Sequence, residues 1–318
     1  MAHLNFHKSI TYKTIKSYRD KYIMPLVDIA KFENESIKDP EIASEIISEA
    51  IKSEKPCLIS RYGAIELDAI LNYRNGHPLF FLRTLYPFWI GDKTKSNMQT
   101  NAGFFPANNK MLSRFSDFIY DITPDIDVLG TWMNNELLMP LSKQCIRLKL
   151  QLLEPFWSKI PWTASLKGRK VLVVHPFAES IENQYKKREL LFENKDILPE
   201  FASLTVIKAV QSLGGMDNGF ENWFDALHYM EDEIDKVDYD VALIGCGAYG
   251  MPLAAHCKRK GKKAIHLGGA TQLLFGIRGN RWETEQKIYM QFMNEHWVRP
   301  LESERPPTAQ NVENACYW

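Results

Sequence analysis

Asp240-Val241-Ala242-Leu243-Ile244-Gly245-Cys246-Gly247-Ala248-Tyr249-Gly250 joins an unbroken apolar run to a glycine series. Four consecutive aliphatic residues without alternation predict a strand buried on both faces. The glycines let the backbone turn sharply, and the stretch from about Met251 to Lys260 is predicted to be the helix that follows. Lys263-Ala264-Ile265-His266-Leu267 then supplies the next strand, closed by Gly268-Gly269 and another helix. Strand, turn, helix and strand in that order make a parallel β-α-β unit.

The same pattern extends towards the N-terminus. Strands are predicted at Cys57-Leu58-Ile59-Ser60, Val128-Leu129-Gly130, Lys170-Val171-Leu172-Val173-Val174 and Leu204-Thr205-Val206-Ile207. Ile42, Ile46, Ile47, Ala50 and Ile51 recur at helical spacing, and further helices are expected over Ala64 to Tyr73, 109 to 120, Ser180 to Glu193 and Glu221 to Val237. Alternation of strands and helices predicts an α/β fold: a Rossmann-like, mostly parallel sheet with helices on both faces. Residues 41–298 form this domain. An arm over 1–40, with a helix around Ile15 to Ile29, precedes it, and 299–318 is expected to wrap the surface. The segment 76 to 110 reads as a packed loop.

A chain of 318 residues with 45% hydrophobic and 25% charged residues can bury a large core without covalent staples. Its formal net charge of +0 argues against an extended nucleic-acid surface, and no nucleic-acid partner is expected. Cys57, Cys145, Cys246, Cys257 and Cys316 form no C-x-x-C pair, so they are read as reduced thiols. The N-terminus lacks the apolar run of a signal peptide, and no stretch approaches the ~20 apolar residues of a membrane span. The expected location is cytoplasmic, with peripheral contact at the inner face of the cell membrane.

Chemistry is expected where strands end. Gly245, Gly247, Tyr249 and Gly250 offer backbone N–H groups and a helix N-terminus to a diphosphate; a ligand-free turn is the plain alternative. A dinucleotide cofactor would call for Asp or Glu at the end of the next strand to hold the ribose, where this chain has His266-Leu267-Gly268-Gly269. NAD(P) is therefore the lesser reading. Gly268, Gly269 and Gln272 lie in a second turn of N–H groups, followed by Arg278 and Arg281. Arg61 could pair with a phosphate. Glu66, one helical turn on, could hold a metal, act as a base, or simply favour the helix dipole. His175 is a candidate proton carrier, with Ser180 expected to cap the following helix. Trp132 with Glu136 suits either a sugar or the core, and Glu136 is a candidate to activate an acceptor hydroxyl.

Arg61-Tyr62-Gly63-Ala64-Ile65-Glu66 resembles the Arg-aromatic-Gly-Asp-x-Glu motif that ends the first strand of bacterial glycosyltransferases of the GT-D fold type. The resemblance implies a GT-D-like fold and a nucleotide-sugar donor, a UDP-sugar foremost. It also implies a surface polysaccharide or lipid-linked glycan precursor as acceptor, and a donor site containing Arg61, Tyr62, Gly63 and Glu66. In that family an Asp-x-Glu pair holds the diphosphate through a divalent cation, Mn²⁺ or Mg²⁺. Ala64 stands at the Asp position here, which leaves Glu66 as the one carboxylate for a metal. A non-catalytic binding partner in polysaccharide synthesis is the alternative that Ala64 favours.

Overall fold

The computed structural model describes residues 32, 33, 35–75, 92–312 and 315–318. The helix expected around Ile15 to Ile29 and the loop over 76–91 lie outside them. Helix α1 (Pro40–Lys52) has the N-cap Asp39, which accepts from the backbone N–H groups of Glu41 and Ile42, with Pro40 in the first turn. Such a cap stabilises a helix by about 1 kcal/mol. Strand β1 (Cys57–Ser60) leads to α2 (Ala64–Asn75). Helices α3 (Asp92–Thr100) and α4 (Asn109–Ile122) precede β2 (Val128–Thr131) and β3 (Ile146–Lys149). The second half contains β4 (Lys170–His175), α5 (Ala178–Tyr185), α6 (Arg188–Leu191), β5 (Ser203–Lys208) and α7 (Trp223–Asp235). It ends with β6 (Val241–Ile244), α8 (Gly250–Arg259), β7 (Lys263–His266), α9 (Ala270–Leu274) and α10 (Asn280–Thr284).

The seven strands among the described residues form one sheet in the order β3-β2-β1-β7-β6-β4-β5. Every pairing is parallel, so the sheet is wholly rather than mostly parallel. Side chains alternate along each strand, and in β1, β2, β4, β6 and β7 nearly all of both sets are buried. Leu172 and Val174 face a layer that includes Leu67, Phe115, Leu227 and Leu253, from α2, α4, α7 and α8. Val171 and Val173 face the opposite layer, which includes Ile47, Ile181 and Leu273 from α1, α5 and α9. Each such side chain contributes roughly 1.5–3 kcal/mol of burial, which is why unbroken apolar runs marked these strands.

β3 was not expected. Its Ile-Arg-Leu-Lys sequence buries only Leu148, and Ile37 bridges to Leu148 along its free edge. The 92–100 part of the expected loop is helix α3, a mostly polar element that buries Thr94 and Met98. The expected helix Ser180 to Glu193 is divided into α5 and α6.

Residues 299–318 depart furthest from the surface extension expected of them. Ala315, Cys316 and Trp318 are buried in the core layer with α1 and α5. The backbone oxygen of Trp318 accepts from Arg299 Nη1 at 2.6 Å, and that of Cys316 from the Arg281 N–H at 2.9 Å. Apolar burial at the chain end, rather than polarity along the segment, decides where this tail goes. Among the described residues no helix is long and apolar enough to cross a membrane.

Candidate functional site

The direction of the strand connections reverses between the parallel strands β4 and β6. β4 connects outward to β5, whereas β6 connects the other way to β7. Adjacent strands whose connections diverge leave a crevice beyond their carboxyl ends, where open parallel sheets bind ligands. A cavity of about 220 Å³ lies at this edge. It is lined by the turns after five strands: Trp132 after β2, Arg61 and Gly63 to Glu66 after β1, Gly268 and Gly269 after β7, Gly245 to Gly247 after β6, and His175 to Phe177 at β4.

The glycine turn after β6 is shaped by its neighbours. A Cβ on Gly245 would lie 2.6 Å from the carbonyl oxygen of Gly268, so this glycine lets the β6 and β7 turns approach each other. Gly247 has φ +57°, a left-handed conformation that favours glycine. The Gly245 N–H donates to Val174 O, that of Ala248 to Ala102 O, and that of Tyr249 to Cys246 O. The N–H groups of Cys246 and Gly247, like those of Gly268 and Gly269, have no backbone acceptor among the described residues. Two sets of backbone donors thus line one cavity, an arrangement suited to anionic oxygens.

Arg281 contributes one positive charge to the lining, and Arg61 brings another. Its Nε donates to the Tyr62 carbonyl at 3.1 Å, and its Nη1 lies 3.0 Å from where a Cβ on Gly268 would stand. Glycine at 268, with φ +63°, therefore makes room for the guanidinium. Glu66 curls over Gly63, where a Cβ would collide with its carboxylate. It is the one acidic side chain that lines the cavity among the described residues. Trp132 stands at the rim, 48% exposed, with its Nε1 donating to Tyr62 O at 3.1 Å and Arg61 Cζ 5.5 Å from its ring centre.

Among the described residues no three His, Cys, Asp or Glu side chains gather closely enough to hold an ion. Glu66 alone supplies one ligand where Mg²⁺ demands near-octahedral oxygen coordination, so a cation would depend on ligand phosphates and water for the rest.

No family model matches the chain, and no curated protein matches its sequence. Among solved structures it is similar to one described as domain of unknown function 1792 (DUF1792), at 13% identity and a TM-score of 0.37, covering 85% of this chain and 97% of that one. A likeness at that score carries no argument about chemistry, which rests on the residues themselves.

Several expected site residues sit elsewhere or serve another purpose. Glu136 is fully buried and does not line the cavity. It accepts from Thr131 Oγ1 and, at 3.4 Å, from the Trp132 N–H. Burial pushes its pKa up to about 7, against those hydrogen bonds and the Arg61 charge. It fixes the turn that presents Trp132, and a role in activating an acceptor hydroxyl does not follow. The Tyr62 side chain points into the core, where its hydroxyl meets Thr123 Oγ1 at 2.8 Å; only its backbone carbonyl serves the site.

His175 lines the cavity, but burial drives its pKa down to about 3. Its Nδ1 accepts from the Phe177 N–H at 3.0 Å, which puts the proton of the neutral ring on Nε2. It can offer one hydrogen bond but neither a charge nor a base at neutral pH. His266 is similar: burial and the nearby Arg61 lower its pKa to about 3, and its Nδ1 lies 3.2 Å from Ser60 Oγ. Gly250 does not line the cavity, because its role is to admit the His266 ring, which a Cβ would strike. Tyr249 stacks on Trp223 at 4.8 Å, and its hydroxyl meets Ser212 Oγ at 3.3 Å.

Gln272 lines the cavity, yet its Nε2 donates to the carbonyls of Arg278 and Tyr317 at 3.0 and 3.2 Å. It fastens the C-terminal tail to α9. Ser180 does not cap α5 by itself. The buried Glu304 does so, accepting from the N–H groups of Glu179 and Ser180 and from the Ser180 hydroxyl. Sequence reasoning also missed Val312, Tyr317 and Trp318, which close the cavity from the tail. The aromatic pair ending the chain, Tyr317-Trp318, was the available signal.

Proposed function

We propose that this protein is a glycosyltransferase that takes a sugar from a nucleoside diphosphate donor, a UDP-sugar foremost. The observation that carries the reading is the convergence of Arg61 with the open backbone donors of Cys246, Gly247, Gly268 and Gly269 on one cavity. A diphosphate needs this combination, and an NAD-type ribose would need an acid where His266 and Leu267 stand.

In the transfer, the bond between the anomeric carbon and the diphosphate oxygen breaks as the acceptor oxygen bonds to that carbon. The diphosphate departs with the electron pair. Positioned donors that strengthen as its charge grows lower the barrier, which is the role assigned to Arg61 and the two turns. Glu66 takes the acceptor proton or joins a donor-bound cation. With Glu136 and His175 unsuited, Glu66 is the catalytic carboxylate of this reading. The acceptor proposed is a surface polysaccharide or its lipid-linked precursor at the cytoplasmic face of a membrane, on the strength of the Arg61–Glu66 resemblance. Ala64 at the family's Asp position favours one other reading, a silent binder of the same ligand.

A thermal-shift screen with UDP, UDP-sugars and NAD, each with and without Mn²⁺, tests the ligand. A ligand at ~100 times its Kd stabilises the fold by about 2.7 kcal/mol. Stabilisation by UDP is expected; stabilisation by NAD alone would replace the proposal with an oxidoreductase. Release of UDP in the presence of an acceptor distinguishes the enzyme from the silent binder.

A further inference from the structure

Strand order makes the carboxyl edge of the sheet a ruler. Trp132, Arg61, Gly268, Gly247 and Phe177 follow β2, β1, β7, β6 and β4, which are neighbours in that sequence. At about 4.8 Å per strand, the run from β2 to β4 covers about 19 Å. That is the scale of an extended nucleoside diphosphate sugar. The cavity of about 220 Å³ is smaller than the ~300–1,000 Å³ usual for enclosed ligands, so a molecule of this length would lie partly against the rim.

The wall changes character along this line. At the β4 end it includes the neutral His175 with Pro176, Phe177, Val312 and Trp318, the ring of Phe177 lying edge-on to Trp318 at 5.9 Å. These side chains are uncharged, so they suit a flat heterocycle rather than a phosphate. The middle holds the backbone donors and Arg61. At the β2 end stands the half-exposed Trp132. Its indole is held through Nε1 to Tyr62 O, and its backbone N–H bonds to Glu136. A ring fixed in advance at a cavity rim loses little freedom when it stacks on a ligand.

We propose that the donor lies along this edge in one direction. Its base is at the β4 end beneath Trp318, its diphosphate over the β6 and β7 turns, and its transferred sugar against the face of Trp132. The proposal rests on the nucleotide-sugar reading and adds ligand polarity and a specificity-determining residue. The C–H face of a pyranose packs on the indole, which places the anomeric carbon on the same side of the diphosphate as Glu66.

Calorimetric titration of Trp132→Ala and Trp132→Phe, with UDP and with UDP-glucose, UDP-galactose and UDP-N-acetylglucosamine, tests the direction. Trp132→Ala should bind UDP within about twofold of the parent protein and the best UDP-sugar about three- to tenfold more weakly, the range expected for one aromatic contact. Trp132→Phe should recover most of that loss. An equal loss for UDP and UDP-sugar would mean that Trp132 holds the base, reversing the direction. A loss for neither would remove Trp132 from the site. In both cases the nucleotide reading survives, because UDP still binds the parent protein. If the parent protein binds none of these ligands, that reading fails and takes the direction with it.

Discussion

The turn after β1 and the turn after β6 line the same cavity but are built in opposite ways. After β1 the side chains of Arg61 and Glu66 face the cavity, and glycines at 268 and 63 make room for them. From Gly245 to Gly247 the backbone lines it, and Thr271, Gly268 and His266 fill the space that side chains at 245 and 250 would take. Charge can be removed from the first turn with little effect on packing. The second cannot be altered without disturbing its neighbours. Binding and stability should therefore separate between the two.

The largest effect is expected from Arg61→Ala. Loss of a charged hydrogen-bonding group should weaken UDP binding by about 1.5–3 kcal/mol, roughly 10- to 150-fold, while the denaturation midpoint scarcely moves. Calorimetric titration together with a urea melt checks both halves, and unchanged affinity would remove Arg61 from the site. Gly245→Ala should act the other way, with a Cβ 2.6 Å from Gly268 O lowering stability by about 1–3 kcal/mol in the same melt. Gly247→Ala should cost less, about 1 kcal/mol, since its added carbon meets only Ala102 O at 3.4 Å and the strain is confined to its φ. Equal costs at 245 and 247 would contradict the packing account of this turn.

This contrast also explains what could be read from the sequence. The β4, β6 and β7 strands were legible because both faces are buried, which leaves continuous apolar runs. β3 was not, because a peripheral strand that buries only Leu148 has no such run. The glycine turn and Arg61, which line the cavity, could be placed at strand ends because backbone turns and a strand-end arginine have local signatures. Glu136, Tyr62 and Gln272 were assigned to the ligand because residue type does not reveal which way a side chain points. Tyr62 enters the core beside Thr123, and Gln272 ties down the tail. The burial of Trp318 depends on contacts remote in sequence, which no local pattern encodes.

The smallest effect concerns Glu136, which steadies the Trp132 side of the site. Its pKa in the fold is about 7, above the ordinary 4.5. The native state therefore keeps a proton that the unfolded chain releases, and this contribution to stability is present below about pH 4.5 and lost as pH rises to about 7. His175 and His266, lowered from 6.5 to about 3, oppose it by losing stability as pH falls below 6.5. Glu136→Gln should remove the first slope and leave the second. Relative to the parent protein, the variant should gain on the order of 1 kcal/mol between pH 5 and 7.5 in melts followed by circular dichroism. Parallel curves for the two proteins would show that Glu136 titrates normally.

Amide hydrogen exchange with and without UDP tests the central claim most directly, since the account assigns the diphosphate to particular backbone N–H groups. Saturating UDP should slow exchange at Cys246, Gly247, Gly268 and Gly269 more than in the helices behind them. Protection confined to other strand ends, or none at these turns under conditions where UDP is bound, would contradict it.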